Sequence, residues 1–149
     1  MRQFVFKLET LLRHRRSLEE KERESLARIH ARLENENRHL QELQSKHSQV
    51  RRELERQQLR QYDSREVGWY CTFMRRLDSE MEQSAARIQG LKRELQEQLA
   101  RWVERSRDKK VLENLKEKRE REHLIAEDRL EQKIVDEIVV TRFAGREPA

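Results

Sequence analysis

From Met1 to Gln61 the chain contains neither glycine nor proline, and beyond Gly68 the next such residues are Gly90, Gly145 and Pro148. Stretches this long without a breaker, rich in Leu, Arg, Glu and Gln, favour helix throughout. The two stretches meet at Tyr62-Asp63-Ser64-Arg65-Glu66-Val67-Gly68. Asp63 followed three residues later by Glu66 has the spacing of a capping box. The first side chain accepts from orphan backbone N–H groups and the second reaches back. We expect helix one over about 4–61, a tight reversal over about 62–68, and helix two over about 69–143 running back along the first. The fold class is all-α: a long antiparallel two-helix coiled-coil hairpin, the second helix longer than the first, in a single domain over residues 1–149.

Composition supports this reading. Charged residues make up 42% of the chain and apolar residues 34%, too little apolar matter for an ordinary globular core. Disordered chains carry less leucine and more Pro, Gly and Ser; this mixture is that of a coiled coil. The net charge is +5, but acids and bases are interleaved, which weakens the case for a polyanionic partner. Cys71 stands alone, so an intrachain disulfide is impossible and a reducing compartment fits. Apolar runs reach only three residues, as in Phe4-Val5-Phe6 and Ile138-Val139-Val140, where a membrane span needs about 20. Lys7 and Glu9 interrupt any signal-peptide core. The expectation is a soluble, cytoplasmic protein without membrane insertion.

In helix one, Phe4, Leu8, Leu11, Arg15 and Leu18 form a first register. Leu26, Ile29, Leu33, Glu36, Leu40, Leu43, His47, Val50, Leu54 and Gln57 form a second, with gaps alternating three and four as in a left-handed coiled-coil seam. Leu18, Glu22 and Leu26 would join them through a stutter. Glu19→Arg23, Glu24→Arg28 and Glu34→Arg38 are favourable i,i+4 pairs. In helix two the seam reads Met74, Leu77, Met81, Ser84, Ile88, Leu91, Leu95, Leu99 and Trp102, with a second four-residue step at Leu95–Leu99. Gly90 falls inside this period and is expected to be a soft spot or a point of close packing. Gly145 and Pro148 end the helix.

Helices of roughly 58 and 80 residues are about 85 and 120 Å long. Folded back near residue 62, Phe4 lies opposite a position near 120, and the remainder of helix two overhangs. Leu130, Ile134, Ile138 and Phe143 are then uncovered by the chain itself, a candidate partner surface. The alternative is a shifted helix one or a second copy of the chain covering the stripe.

Catalytic constellations are missing from the sequence. His14, His30, His39, His47 and His123 are scattered without metal-ligand spacing, and His47, at a seam position, reads as a hydrogen-bonded core histidine. A Gly-rich phosphate loop is lacking, so the chain is not expected to bind ATP, and we expect neither enzyme activity nor a cofactor. Cys71 reads as an inert small hydrophobe. Arg13-His14-Arg15-Arg16 before heptad leucines invites an alternative reading as a basic-zipper-like nucleic-acid-binding coiled coil. Glu9, Glu19, Glu20, Glu22 and Glu24 spoil the acid-poor helix that reading needs. Trp69, Tyr70, Phe73, Met74 and Leu77 gather most of the larger rings beside the reversal, more than the seam of a two-helix hairpin buries. We read them as a docking site over local packing of the tip.

Three blocks resemble those of flagellar FliJ proteins. Phe4-Val5-Phe6-Lys7-Leu8-Glu9-Thr10-Leu11-Leu12-Arg13-His14-Arg15 is similar to the family's F-x-F-x-L-E-x-L-L opening. Arg107-Asp108-Lys109-Lys110-Val111-Leu112-Glu113-Asn114-Leu115-Lys116-Glu117-Lys118 resembles its second signature. Glu127-Asp128-Arg129-Leu130-Glu131-Gln132-Lys133-Ile134-Val135-Asp136-Glu137 resembles its E-x-x-x-x-E-Q-K-x-x-D-E tail. The resemblance implies a soluble component of the flagellar type III export apparatus, at the cytoplasmic face of the inner membrane at the flagellar base. It implies a stalk like the γ subunit of rotary ATPases, set in the ring of the export ATPase FliI and promoting its assembly and activity. It also implies contacts with the cytoplasmic domain of the gate protein FlhA and with export chaperones. The family's gate-binding patch falls on Phe73, Leu77, Glu80 and Ser84, the last two less typical of the family. Trp69, Tyr70, Leu130, Ile134 and Ile138 are further candidate partner surface. Arg13, Arg15, Arg16, Lys109, Lys110, Arg119 and Arg121 are candidate contacts to carboxylates of the ring.

Overall fold

The computed structural model describes residues 2–60 and 64–145. Two helices account for nearly all of them: α1, Glu9–Leu59, and α2, Ser64–Ala144, of 51 and 81 residues. The fold is the expected all-α pair with the longer helix second. The residues divide into two compact units, one of residues 21–103 and one combining 1–20 with 104–149. In each, pairing numbers rise along α1 as they fall along α2: Glu22 meets Gln98, Glu36 meets Ser84 and His47 meets Asp78 in the first. Glu9 meets Lys116 and Glu19 meets Lys109 in the second. Both pairings are therefore antiparallel.

The boundaries differ from expectation at two places. Helix one begins at Glu9 rather than near Phe4, and α2 already includes Arg65–Gly68, which the sequence assigned to the reversal. Tyr62, Asp63 and Pro148 lie outside the described residues, and with them the proposed capping box. Gly145 follows the last helical residue as expected, its N–H donating to the Thr141 carbonyl at 3.1 Å.

In the unit of residues 21–103, every seam residue of α1 from Leu26 to Gln57 is buried or half-buried, in the register read from sequence. Burying Leu43 there contributes roughly 1.5–3 kcal/mol, and the half-buried Leu26, Leu33, Leu40 and Leu54 each contribute less. The two stutters are absent. On α2, Gln98 is 5% exposed and Leu99 is 45% exposed, so the seam runs Leu91, Leu95, Gln98, Trp102 without a break in the heptad. The amide Nε2 of Gln98 donates to the Glu22 backbone carbonyl at 3.1 Å and to the Glu22 carboxylate, which satisfies a polar side chain in a seam position. On α1 the buried residues continue from Leu26 back through Glu22, Glu19 and Arg15 to Leu12, again alternating three and four.

The other unit explains that continuation. Residues 2–8 precede the helix, and Phe6 packs with Leu12 and Leu112 in a small core lined by Phe4 and Leu115. Leu12 is fully buried, while Leu8 and Leu11, placed on the seam by the sequence reading, are exposed. Phe4 and Phe6 reach inward on either side of exposed Val5, the period-two alternation of an extended segment rather than a helix. The Phe4 ring lies 5.6 Å from that of His123. Beyond Glu127 every described residue of α2 is exposed.

Of the anticipated i,i+4 pairs, Arg28 and Arg38 instead donate to Ser25 Oγ and Asn35 Oδ1, both at 3.0 Å. Gly90 is not a close-packing point: an added Cβ would meet nothing within 4 Å. It lies exposed within α2 and lowers helix propensity alone. Gly90→Ala is therefore expected to raise stability by about 0.5–1 kcal/mol, read as a higher midpoint in thermal or urea unfolding.

Hydrogen bonding from Ser84, reinforced by Arg87, holds the Glu36 carboxyl below its ordinary pKa, and hydrogen bonding from Lys116 does the same for Glu9. A carboxylate with a depressed native pKa adds stability above its unfolded pKa and loses it as pH falls through the native one. The melting temperature should thus fall as pH is lowered from 6 towards 3. Glu36→Gln should shallow that fall, as followed by circular dichroism.

Candidate functional site

The residues singled out by sequence fall into three groups. In the first, α2 presents Trp69, Tyr70 and Phe73 just after its start. Trp69 stacks on Phe73 one turn on, with centroids 5.6 Å apart and planes within 3°, and meets the Tyr70 ring edge-on at 5.1 Å. Trp69 is 62% exposed, an unusual position for an indole in a chain this polar. Leu77 and Ser84, by contrast, are sealed in the seam, Ser84 donating to Glu36 Oε1 at 2.8 Å. Glu80 is half-exposed beside Arg76 at 3.5 Å. Of the four positions carried from the FliJ pattern, Phe73 and Glu80 are open to a partner, and Trp69 and Tyr70 extend that surface.

The second group is the apolar stripe of α2's last turns. Leu130, Ile134 and Ile138 are exposed, as are Val135, Val139 and Phe143, so none is covered by the described part of the chain. The sequence argument for an uncovered stripe is matched residue for residue.

The third group, the basic residues, is divided. Lys109 Nζ lies 2.6 Å from Glu19, whose side chain is only 5% exposed, and Arg15 Nη1 donates to the Asp108 carbonyl at 2.8 Å. Arg16 is 3.5 Å from Glu113. These three join α1 to α2 inside one unit. Arg13, Lys110, Arg119 and Arg121 are exposed. His47, read as a hydrogen-bonded core histidine, is half-buried with Nε2 3.0 Å from Asp78.

Among the described residues there is no group of side chains able to hold a metal ion, and no helix long and apolar enough to cross a membrane. The open surfaces are apolar: rings at one site, an aliphatic stripe at another. The model of the family described as FliJ, Flagellar FliJ protein, matches residues 4–148, the full length of both helices and most of the segment before them. The chain belongs to the flagellar FliJ family. FliJ proteins are components of the flagellar export apparatus, so the exposed apolar surfaces belong to a part of that machinery. No curated protein and no solved structure matches the chain.

The sequence places Glu36, His47 and Ser84 on the seam but not Glu19, Gln98 or Lys109, because apolar neighbours compete for the first two places, and it assigns Glu22 to a stutter that the structure lacks. The signal was present as polar residues at unbroken heptad positions. Breaking a largely buried ion pair leaves its partner charge uncompensated. Lys109→Ala should therefore destabilise the chain by roughly 1–3 kcal/mol, while Lys110→Ala changes stability by less than about 0.5 kcal/mol. Denaturant midpoints of the two variants make the comparison.

Proposed function

We propose that this FliJ-family chain is a non-enzymatic stalk and adaptor. It promotes ring assembly and turnover of the export ATPase FliI, and links that ATPase to the cytoplasmic domain of the gate protein FlhA and to export chaperones. The place of action is the cytoplasmic face of the inner membrane at the flagellar base. The observation that carries this reading is that each unit leaves a cluster of apolar side chains open beside its seam. The ring cluster at Trp69, Tyr70 and Phe73 belongs to one unit, and the stripe at Leu130, Ile134 and Ile138 to the other. Two separate apolar surfaces of different shape suit two different partners. The exposed bases Arg13, Lys110, Arg119 and Arg121 lie in the same unit as the stripe and can meet carboxylates of the ring.

The basic-zipper alternative is not favoured. Arg15 and Arg16 of its basic cluster are engaged with Asp108 and Glu113, and the helices pair antiparallel within one chain. A zipper needs a parallel dimer with a free basic helix.

Added to purified FliI, the chain should raise ATP turnover severalfold and shift the enzyme towards ring-sized assemblies by light scattering. Ile134→Asp with Ile138→Asp should abolish the gain while leaving helix content unchanged, since both residues are exposed. Unaltered turnover and assembly with the native chain would remove the ATPase role.

A further inference from the structure

The start of α2 and the end of α1 share a charge pattern that apolar docking alone does not explain. Residues 51–76 hold seven arginines against four carboxylates, a net charge of +3 where the whole chain carries +5, and they hold no lysine. On α2, Arg65 lies one turn before Trp69 and Arg76 one turn after Phe73, so helical spacing places both guanidinium groups on the face of the stacked rings. The stack holds the indole against a second ring, giving a stiff apolar blade that loses little freedom when a partner takes it up. Arginine pairs with carboxylates through a planar two-pronged fork, which lysine cannot do. The exposed pairs Arg51–Glu55, Arg56–Glu53 and Arg76–Glu80, at 3.5–3.8 Å, are of the weak solvated kind that a partner's carboxylates can displace.

We propose that Trp69, backed by Phe73 and flanked by Arg65 and Arg76, is the anchor with which this chain docks onto an acidic protein surface. The partner's apolar cleft receives the indole, and carboxylates on the cleft's rim meet the guanidinium groups. The inference rests on the gate contact proposed above and specifies the chemistry of that site. Glu53, Glu55, Glu66, Asp78 and Glu80 divide the arginines into separate points instead of a continuous basic track, which suits single carboxylates on the rim of a protein cleft better than an unbroken phosphate backbone or an anionic bilayer.

The test is calorimetric titration of the full chain into the purified cytoplasmic domain of FlhA at low and high salt, with parallel titrations into poly(U) RNA and phosphatidylglycerol vesicles. Native affinity should fall as salt rises. Trp69→Ala should weaken binding at least tenfold. Arg76→Glu should weaken it severalfold and flatten the salt dependence, with melting curves of both variants close to native. Absence of binding by the native chain would overturn the gate contact and this inference together. Native binding matched by both variants would overturn the anchor and leave the gate contact standing. Tighter binding to RNA or vesicles that is lost in Trp69→Ala would overturn the acidic protein as partner.

Discussion

The structure depends on a heptad seam that stays unbroken because polar residues hold some of its core positions. On α1 the buried side runs from Leu12 to Gln57 in alternating steps of three and four, and Arg15, Glu19, Glu22, Glu36 and His47 take their turns in it. Each has a partner across the pair: the Asp108 carbonyl, Lys109, Gln98, Ser84 with Arg87, and Asp78. A leucine in these places would bury more apolar area but tolerate many registers. A buried carboxylate tolerates few, because unpaired it loses its hydration without recompense. Sliding α2 by one heptad would set Glu36 against Leu77 or Leu91 instead of Ser84. Pairing α1 with a parallel copy of itself would set Glu22 and Glu36 against their own kind. The polar layers thus favour one antiparallel, intrachain arrangement over its competitors.

That arrangement decides what remains outside. Because Leu77 and Ser84 are drawn into the seam, the adjacent stripe of Trp69, Phe73, Arg76 and Glu80 becomes the accessible face. The segment before Glu9 reaches the His123 ring, and the aliphatic residues after Glu127 are all exposed within the described chain. Both exposed surfaces are consequences of where the pairing stops. A narrow seam flanked by solvated charge has little apolar surface to spare, so rings and aliphatic side chains left in water stand out on a chain of this composition.

Much of this was readable from residues alone. The lack of Gly and Pro, the leucine period from Leu26 to Leu54 and the match of three short blocks to FliJ proteins carry the fold and the family. The uncovered stripe at Leu130, Ile134 and Ile138 comes from counting helix lengths. The period alone marks the polar seam positions Glu36, His47 and Ser84. It does not mark Gln98 and Glu19, because a leucine beside each, Leu99 and Leu18, competes for the place, and choosing the leucines creates two stutters that the structure lacks. The reading failed also at the N-terminus, where Phe4 and Phe6 were fitted to a helical stripe although their spacing of two suits an extended segment.

The sequence by itself determined that the chain is two long helices, the second longer, with apolar matter to spare at the start and at the end of that second helix, because periodicity and helix propensity are local properties. Which charges are structural and which are free was decided only in three dimensions. Lys109 and Lys110 are neighbours of identical chemistry, yet one faces Glu19 across the seam and the other faces water. Nothing local distinguishes them: a rotation of about 100° around the helix axis, and a carboxylate 90 residues away in the chain, make the difference.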